Sequence, residues 1–150
     1  MKIKKATIHD GGILTEITMK SKAYWGYSEE QIMEWKNFLT ISIDYIEKNS
    51  VYKLIIDNSI IGYYSYFKTE KDSIKLDNLF ILPKHIGLGY GKKLMQDFIN
   101  RIQTENSIKK ITLDSEPNAE IFYQKIGFVK VGEFETSIKN RFMPIMEMKL

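Results

Sequence analysis

Apolar residues recur at two different spacings along the chain, and the changes of spacing divide it into elements. Residues 2–8 are compatible with a short strand, after which residues 13–19 carry apolar side chains at helical spacing. The capping-box pattern of residues 28–31 precedes a second helical stripe over residues 32–39. The pattern therefore predicts a strand and two helices, and it leaves residues 41–49 open between helix and strand.

The next stretch is typical of antiparallel strands. Residues 51–56 and 60–67 are rich in β-branched and aromatic side chains, and Asp57-Asn58-Ser59 between them has the composition of a turn. A third strand is predicted over residues 74–82, because Pro83 cannot donate to a strand ladder. A hairpin and a further strand thus precede a cluster of glycines.

Helical and strand patterns alternate in the second half of the chain. Strands separated by helices indicate a mixed α/β or α+β sheet with helices on its faces. The predicted elements are, in chain order, a helix from Gly91 with apolar positions between Leu94 and Ile102, a strand over 110–114, a helix over 117–125 with Gly127 as its cap, and strands over 128–134 and 143–148.

Composition narrows the class of protein. The 150 residues are 43% hydrophobic, which predicts one folded domain over residues 1–150 rather than a disordered chain. Without any cysteine, the chain has no thiolate metal site and no cysteine nucleophile, and we predict no bound metal.

Charge and hydropathy limit the partners. The 22 basic and 19 acidic residues give a net charge of +3 and are spread evenly, so no basic face for nucleic acid is predicted. No apolar run is long enough for a membrane span or a signal peptide, so we expect no membrane partner and a cytoplasmic location.

The glycine cluster lies between a predicted strand and a predicted helix. Gly87, Gly89 and Gly91 allow successive backbone N–H groups to converge on an anion at a helix N-terminus, which suits a phosphate or pyrophosphate. The spacing fits neither a Walker loop nor the dinucleotide fingerprint. A loop without a ligand, and an ATP-binding loop of another kind, stay open on spacing alone.

At this loop the sequence resembles the GNAT superfamily of N-acetyltransferases, whose pyrophosphate loop reads Gln/Arg-x-x-Gly-x-Gly/Ala. Gly89 and Gly91 match the two small positions, whereas Ile86 stands where the family has Gln or Arg. The resemblance implies that acetyl-CoA pairs through its pantetheine arm with the backbone of Phe80 and Ile81. It also implies that the pyrophosphate lies over Ile86, Gly87, Leu88, Gly89, Tyr90, Gly91 and Lys92.

A second match covers residues 118–128, which resemble the family's Asn-Ala-x-x-Phe-Tyr-x-Lys-x-Gly-Phe segment. By this resemblance Asn118 contacts the cofactor arm, and the Tyr123 hydroxyl lies near the thioester sulfur as a general acid. Spacing alone also fits Tyr123 as a core residue beside Phe122. Asp77 matches an acidic position from which some GNAT enzymes take the amine proton through water; a solvent-facing aspartate is the alternative.

The resemblance implies a mixed, mostly antiparallel central sheet of six to seven strands with about four helices on its faces. It implies acetyl transfer from acetyl-CoA to a primary amine of a small molecule or peptide, by direct attack in a ternary complex. Because Ile86 departs from the family pattern, the alternative is a module that binds or senses acyl-CoA without turnover.

Three further features concern the acceptor and the oligomeric state. Tyr24, Trp25 and Tyr27 are candidates to line an acceptor pocket, or they form a lid packed on the core. Arg141 fits either an acceptor carboxylate or a surface salt bridge. An apolar final strand over residues 144–150 would allow a homodimer through strand exchange or edge pairing.

Overall fold

A computed structural model describes residues 1–150 as seven strands and six α-helices. The strands are β1 (Lys2–Lys5), β2 (Ser50–Ile56), β3 (Ser59–Glu70), β4 (Ser73–Ile81), β5 (Lys110–Asp114), β6 (Val129–Glu135) and β7 (Phe142–Lys149). The helices are α1 (Gly11–Tyr24), α2 (Glu29–Glu34), α3 (Lys36–Leu39), α4 (Ile43–Lys48), α5 (Tyr90–Gln103) and α6 (Glu120–Ile126), with 3₁₀ turns at Ile8–Asp10, Pro83–His85 and Pro117–Ala119.

The seven strands form one sheet in the order β1-β2-β3-β4-β5-β7-β6. β4 and β5 pair in parallel, whereas β1–β2, β2–β3, β5–β7 and β6–β7 are antiparallel. The predicted fold class is therefore confirmed. The expectation that the final strand is an edge is wrong, because β7 lies between β5 and β6.

The structure has six α-helices instead of about four because the chain between α1 and β2 folds as three short ones. The Ser28 hydroxyl accepts from the Gln31 backbone N–H, and the Ser42 hydroxyl accepts from that of Tyr45, both at 3.0 Å. Each serine thus starts its own helix, while Thr40 adopts an extended conformation between them. None of the helices combines the length and the apolar character needed to cross a membrane.

The fold divides into two compact units. Unit 1 contains residues 1–66 and 78–98, and unit 2 contains residues 67–77 and 99–150. In unit 1, α1 and α4 pack on the sheet, and the Thr18 hydroxyl shares a hydrogen bond of 2.5 Å with that of Tyr63. The buried cluster there consists of Ala6, Leu14, Ile17, Ile41, Ile46, Val51 and Tyr63.

Unit 2 has its own buried residues on β5, α6 and β7. Ile111 and Met146 are fully buried, and Tyr123 of α6 contacts Phe128 with ring centroids 5.8 Å apart. Gly127 has a φ of +122° and caps α6, as the sequence predicts. This cap turns the chain from α6 into β6.

Candidate functional site

The end of β4 extends beyond its ladder with β5. That ladder runs from Ser73↔Lys110 to Leu76↔Leu113, whereas β4 continues as a strand to Ile81. On the β3 side the pairing continues, since the Leu82 N–H donates to the Ile61 carbonyl at 2.8 Å. Residues 79–81 therefore form a strand edge that has no ladder with β5, and such an edge can pair with an extended ligand.

Two contacts that the sequence did not predict hold this end of β4 in place. The hydroxyl of Ser21, a buried residue of α1, donates to the Ile81 carbonyl at 2.8 Å. A Cβ at Gly62 of β3 would lie 2.6 Å from Ile81 Cδ1 and 2.8 Å from the Phe80 carbonyl oxygen. Only glycine allows β3 to approach so closely, and thus the backbone of Phe80 and Ile81 is held rigidly.

The glycine loop follows directly after the Pro83–His85 turn. Gly87 and Gly89 both have φ +85°, and a Cβ at either position would meet no atom within 4 Å. Leu88 between them is 63% exposed. The loop therefore combines left-handed backbone with an open concave space, and α5 begins at Tyr90 with its N-terminal N–H groups.

This loop has the features of an anion-binding site. The space that a side chain would fill at Gly87 or Gly89 is available to the anion, and the 14-residue helix α5 adds its dipole. Lys92 and Lys93 are exposed in the first turn of α5. All seven residues predicted to hold the pyrophosphate lie in this loop and in the first turn of α5.

Tyr123 packs in the core beside Phe122, as its spacing allows, and its role as general acid stays a prediction. Its ring is only 8% exposed and makes edge-to-face contacts with Phe122 and Phe128. Burial raises the pKa of Tyr123 well above its ordinary value of 10.0, so the phenol is protonated at neutral pH. A protonated phenol is the state that a proton donor to a ligand requires.

The segment before α6 is held by an ion pair whose acidic partner the sequence did not predict. Arg141 Nη2 donates to Glu116 Oε2 at 2.9 Å, with the two side chains only 11% and 12% exposed. Arg141 thus forms a salt bridge, as one of its two interpretations predicts, and this salt bridge is partly buried instead of at the surface. Exposed Asn118 lies in the adjacent 3₁₀ turn, and its Nδ2 is 3.5 Å from Glu116 Oε1. The pair fixes the turn that presents Asn118.

Asp77 and Asn78 differ in their surroundings, as strand alternation predicts. Asn78 Nδ2 donates to the Tyr45 hydroxyl at 3.1 Å and to the Ser65 hydroxyl at 3.0 Å. Asp77 is exposed. Exposure makes its carboxylate available to water, and its part in catalysis stays a prediction.

The residues predicted for the acceptor form an aromatic segment, which we define as residues 24–35. Tyr24 and Trp25 are 53% and 37% exposed, whereas Tyr27 packs edge-to-face on Trp35 at 4.9 Å. Lys22 Nζ lies 5.8 Å from the ring centroid of Tyr27 and 5.7 Å from that of Trp35.

The same ammonium lies 5.7 Å from the ring centroid of Phe80. Lys22 therefore connects the aromatic segment to the end of β4 through cation–π contacts. Helix propensity and spacing did not single out this lysine, because its partners come from three separate elements.

Comparison with known proteins gives one consistent result. A family model described as an acetyltransferase (GNAT) domain matches residues 26–150. The "[Ribosomal protein bS18]-alanine N-acetyltransferase" of Haemophilus influenzae is 31% identical over 105 residues, which are 69% of this chain and 70% of that protein.

Solved structures agree on the fold. The chain superimposes with a TM-score of 0.82 on the PaiA N-acetyltransferase of Thermoplasma acidophilum in complex with coenzyme A, at 22% identity over 99% of this chain and 98% of that one. The ribosomal-protein-S18-alanine N-acetyltransferase of Escherichia coli gives a TM-score of 0.73 at 16% identity, over 99% of this chain and 92% of that one.

Proposed function

The chain belongs to the GNAT acetyltransferase family, and on that premise we propose that it transfers the acetyl group of acetyl-CoA to a primary amine by direct attack in a ternary complex. The observation that carries this proposal is the edge of β4 at residues 79–81, which continues past the ladder with β5 and leads straight into the glycine loop. A strand edge for an extended arm is thus followed by an anion cradle.

Backbone groups bind the cofactor and polarise the acetyl group. In this proposal the backbone N–H groups of residues 86–92 hold the pyrophosphate, and Phe80 and Ile81 pair with the pantetheine arm. Bound acetyl-CoA supplies an acetyl group activated as a thioester. The Ile81 N–H stabilises the negative charge that develops on the acetyl oxygen, as preorganised donors do in acyl transfer.

Side chains accept and donate the protons. Asp77, through water, accepts the proton that the attacking amine loses as its nitrogen bonds to the acetyl carbon. As the carbon–sulfur bond breaks, the Tyr123 hydroxyl donates a proton to the thiolate. Its raised pKa keeps that proton in place across the physiological range, and Asn118 orients the arm.

The acceptor is proposed as a small-molecule or peptide amine. The name of the Haemophilus influenzae relative concerns an alanine amine of a ribosomal protein, which makes peptides with an N-terminal alanine the first class to test. Polyamines and lysine-containing peptides complete the panel.

The experiment measures ligand binding and turnover on the same protein. Acetyl-CoA at 100 times its Kd stabilises a protein by about 2.7 kcal/mol, so we expect a thermal shift of a few degrees with acetyl-CoA or CoA and none with ATP. Turnover is followed by release of free thiol, and with no cysteine in the chain the thiol reagent reports CoA alone. At least one amine should accelerate thiol release above hydrolysis.

Each negative outcome has its own meaning. No thermal shift with either CoA compound would remove the cofactor from the proposal, and a shift with ATP alone would replace it with a nucleotide. Thiol release that stays at the rate of hydrolysis with every amine would favour a module that only binds acyl-CoA.

Tyr123→Phe tests the proton donor. Because the ring and its packing are kept, we expect kcat to fall about 10²-fold with the Kd of acetyl-CoA unchanged. The wild-type pH profile should show no descending limb from Tyr123 below about pH 10, since burial raises its pKa. Tyr52→Phe on β2 is the matched control for loss of a tyrosine hydroxyl. A kcat of Tyr123→Phe within twofold of the wild type would refute the role of general acid.

A further inference from the structure

The two edge strands of the sheet differ in the side chains that they present to another chain. β1 has four residues, of which Lys2, Lys4 and Lys5 are exposed lysines. Short, lysine-rich edges are a common protection against edge-to-edge association. β6 has seven residues with the sequence VKVGEFE, and only Gly132 among them is not exposed. β1 presents mainly charge, whereas β6 presents exposed apolar side chains beside charges of both signs.

The apolar character of β6 is concentrated at three positions. Val129 is 64% exposed, Val131 is 54% exposed and Phe134 is 40% exposed. Exposed β-branched and aromatic side chains on an edge strand are the features that stabilise cross-strand pairing. The strand also carries both signs of charge, since Lys130 forms an ion pair of 3.0 Å with Glu133.

A bulge in β6 brings these residues into matching orientations. Lys130 pairs with Met146 of β7, and Glu133 pairs with Pro144. The two β6 residues are three positions apart in the chain, whereas their β7 partners are two positions apart. Lys130 and Glu133 therefore face the same side of the sheet. By the same register Val129 (opposite Glu147) and Phe134 (opposite Met143) share the other side.

We propose that β6 pairs with β6 of a second copy of this chain, antiparallel about a two-fold axis between Val131 and Gly132. In that register Lys130 lies opposite Glu133 of the second copy, and Val129 lies opposite Phe134 of the second copy. The symmetry repeats each pair, so the interface contains two ion pairs and two apolar pairs. The strand is thus complementary to itself in charge and in hydropathy, as an isologous interface requires.

Neighbouring registers lose this complementarity. A shift by one residue in one direction would place Lys130 opposite Phe134 and Glu133 opposite Val131. A shift in the other direction would place Lys130 opposite Gly132 and Glu133 opposite Val129. Only the proposed register matches opposite charges while it keeps Val129 against an aromatic ring. The proposed dimer is independent of the acetyl-transfer reaction.

Oligomeric state tests the proposal with the full chain. We expect the molar mass by light scattering and sedimentation to rise from 17.6 kDa toward twice that value as the concentration increases. The range from about 5 µM to about 500 µM covers the affinity expected of a small strand-mediated interface. A mass that stays at 17.6 kDa throughout would overturn the dimer.

Charge reversal tests the register. Lys130→Glu and Glu133→Lys each place two like-charged pairs across the axis, so each should weaken dimerisation by about tenfold or more, and the double variant should restore it. Lys2→Glu on β1 is the matched control and should leave the dimer unchanged. Thermal melting at low concentration shows that every variant is folded. A dimer that neither single reversal nor Val129→Asp weakens would overturn β6 as its interface.

Discussion

The glycine loop before α5 and the aromatic segment between α1 and α3 differ in the groups that they present to a ligand. The loop offers backbone, with Gly87 and Gly89 at φ +85° and open space where their side chains would be. The aromatic segment offers side chains, with Tyr24 and Trp25 exposed at its start. A backbone cradle suits a ligand that is the same for all members of a family, whereas side chains can be exchanged to suit each acceptor.

The two regions are also held in different ways. Phe80 and Ile81, ahead of the loop, are fixed by the Ser21 hydroxyl and by the close approach of Gly62. The aromatic segment is held by ring contacts and by the Lys22 ammonium. Hydrogen bonds and backbone sterics are directional and rigid, but ring contacts tolerate rearrangement. We therefore expect changes near β4 to affect the cofactor and changes in the aromatic segment to affect the acceptor.

The largest contrast is expected from two glycines with the same backbone conformation. Gly89 (φ +85°) lies in the loop and Gly26 (φ +91°) in the aromatic segment, and a Cβ at either would meet nothing within 4 Å. Gly89→Glu fills the cradle with a carboxylate, so the affinity for acetyl-CoA should fall about 100-fold or more, whereas Gly26→Glu should keep it. Calorimetric titration with acetyl-CoA measures both. Equal losses would show that backbone strain, rather than the cradle, controls binding.

A second pair of glycines separates strand position from general stability. A Cβ at Gly62 would lie 2.8 Å from the Phe80 carbonyl oxygen, and one at Gly11 would lie 2.6 Å from the Ile41 carbonyl oxygen. Alanine at either site should cost about 1–3 kcal/mol of stability, because a neighbouring backbone must shift. Only Gly62→Ala displaces β4, so it alone should weaken acetyl-CoA binding, by about tenfold.

Urea unfolding measures the first effect and calorimetric titration the second. Gly12→Ala is the control, since a Cβ there meets no atom within 4 Å. If Gly62→Ala does not fold, Ser21→Ala provides a milder displacement of Ile81. Full acetyl-CoA affinity in both variants would contradict the rigid-strand interpretation.

The smallest effect is expected in the aromatic segment. Trp25 is 37% exposed, so Trp25→Ala removes an accessible ring without opening a core cavity. We expect the KM for the acceptor to rise about fivefold, with the Kd of acetyl-CoA and the melting temperature unchanged. Steady-state kinetics measure the split between KM and kcat. Phe38→Ala, at an 86% exposed position outside the segment, is the control, and an equal rise in KM there would argue against a specific acceptor surface.

The elements that the sequence predicted correctly depend on local patterns. The hairpin of β2 and β3, the glycine loop and the helix from Tyr90 follow from side-chain alternation, turn residues and helical spacing within a few residues. The segment from Ala119 to Gly127 was predicted for the same reason. The candidate pyrophosphate residues, Asn118 and Tyr123 could be named in advance because they belong to two short motifs that stand in such elements.

The contacts that the sequence did not reveal join residues far apart in the chain. Ser21 and Ile81 are 60 residues apart, and Glu116 and Arg141 are 25 apart. Serine on the apolar face of a helix and an arginine near the C-terminus each have many ordinary explanations. Their partners are decided by packing, so no local pattern could select them.

By itself the sequence predicted most of the helices and strands in their order, the glycine loop ahead of α5 and the family to which the chain belongs. The tertiary structure alone decided that β7 lies inside the sheet and that β6 is its exposed edge. It also decided that Arg141 pairs with Glu116 in a partly buried position, and that Lys22 reaches Phe80. The physical reason is that backbone preference acts between neighbours in the chain, whereas strand order and ion pairing depend on which distant surfaces can be buried together.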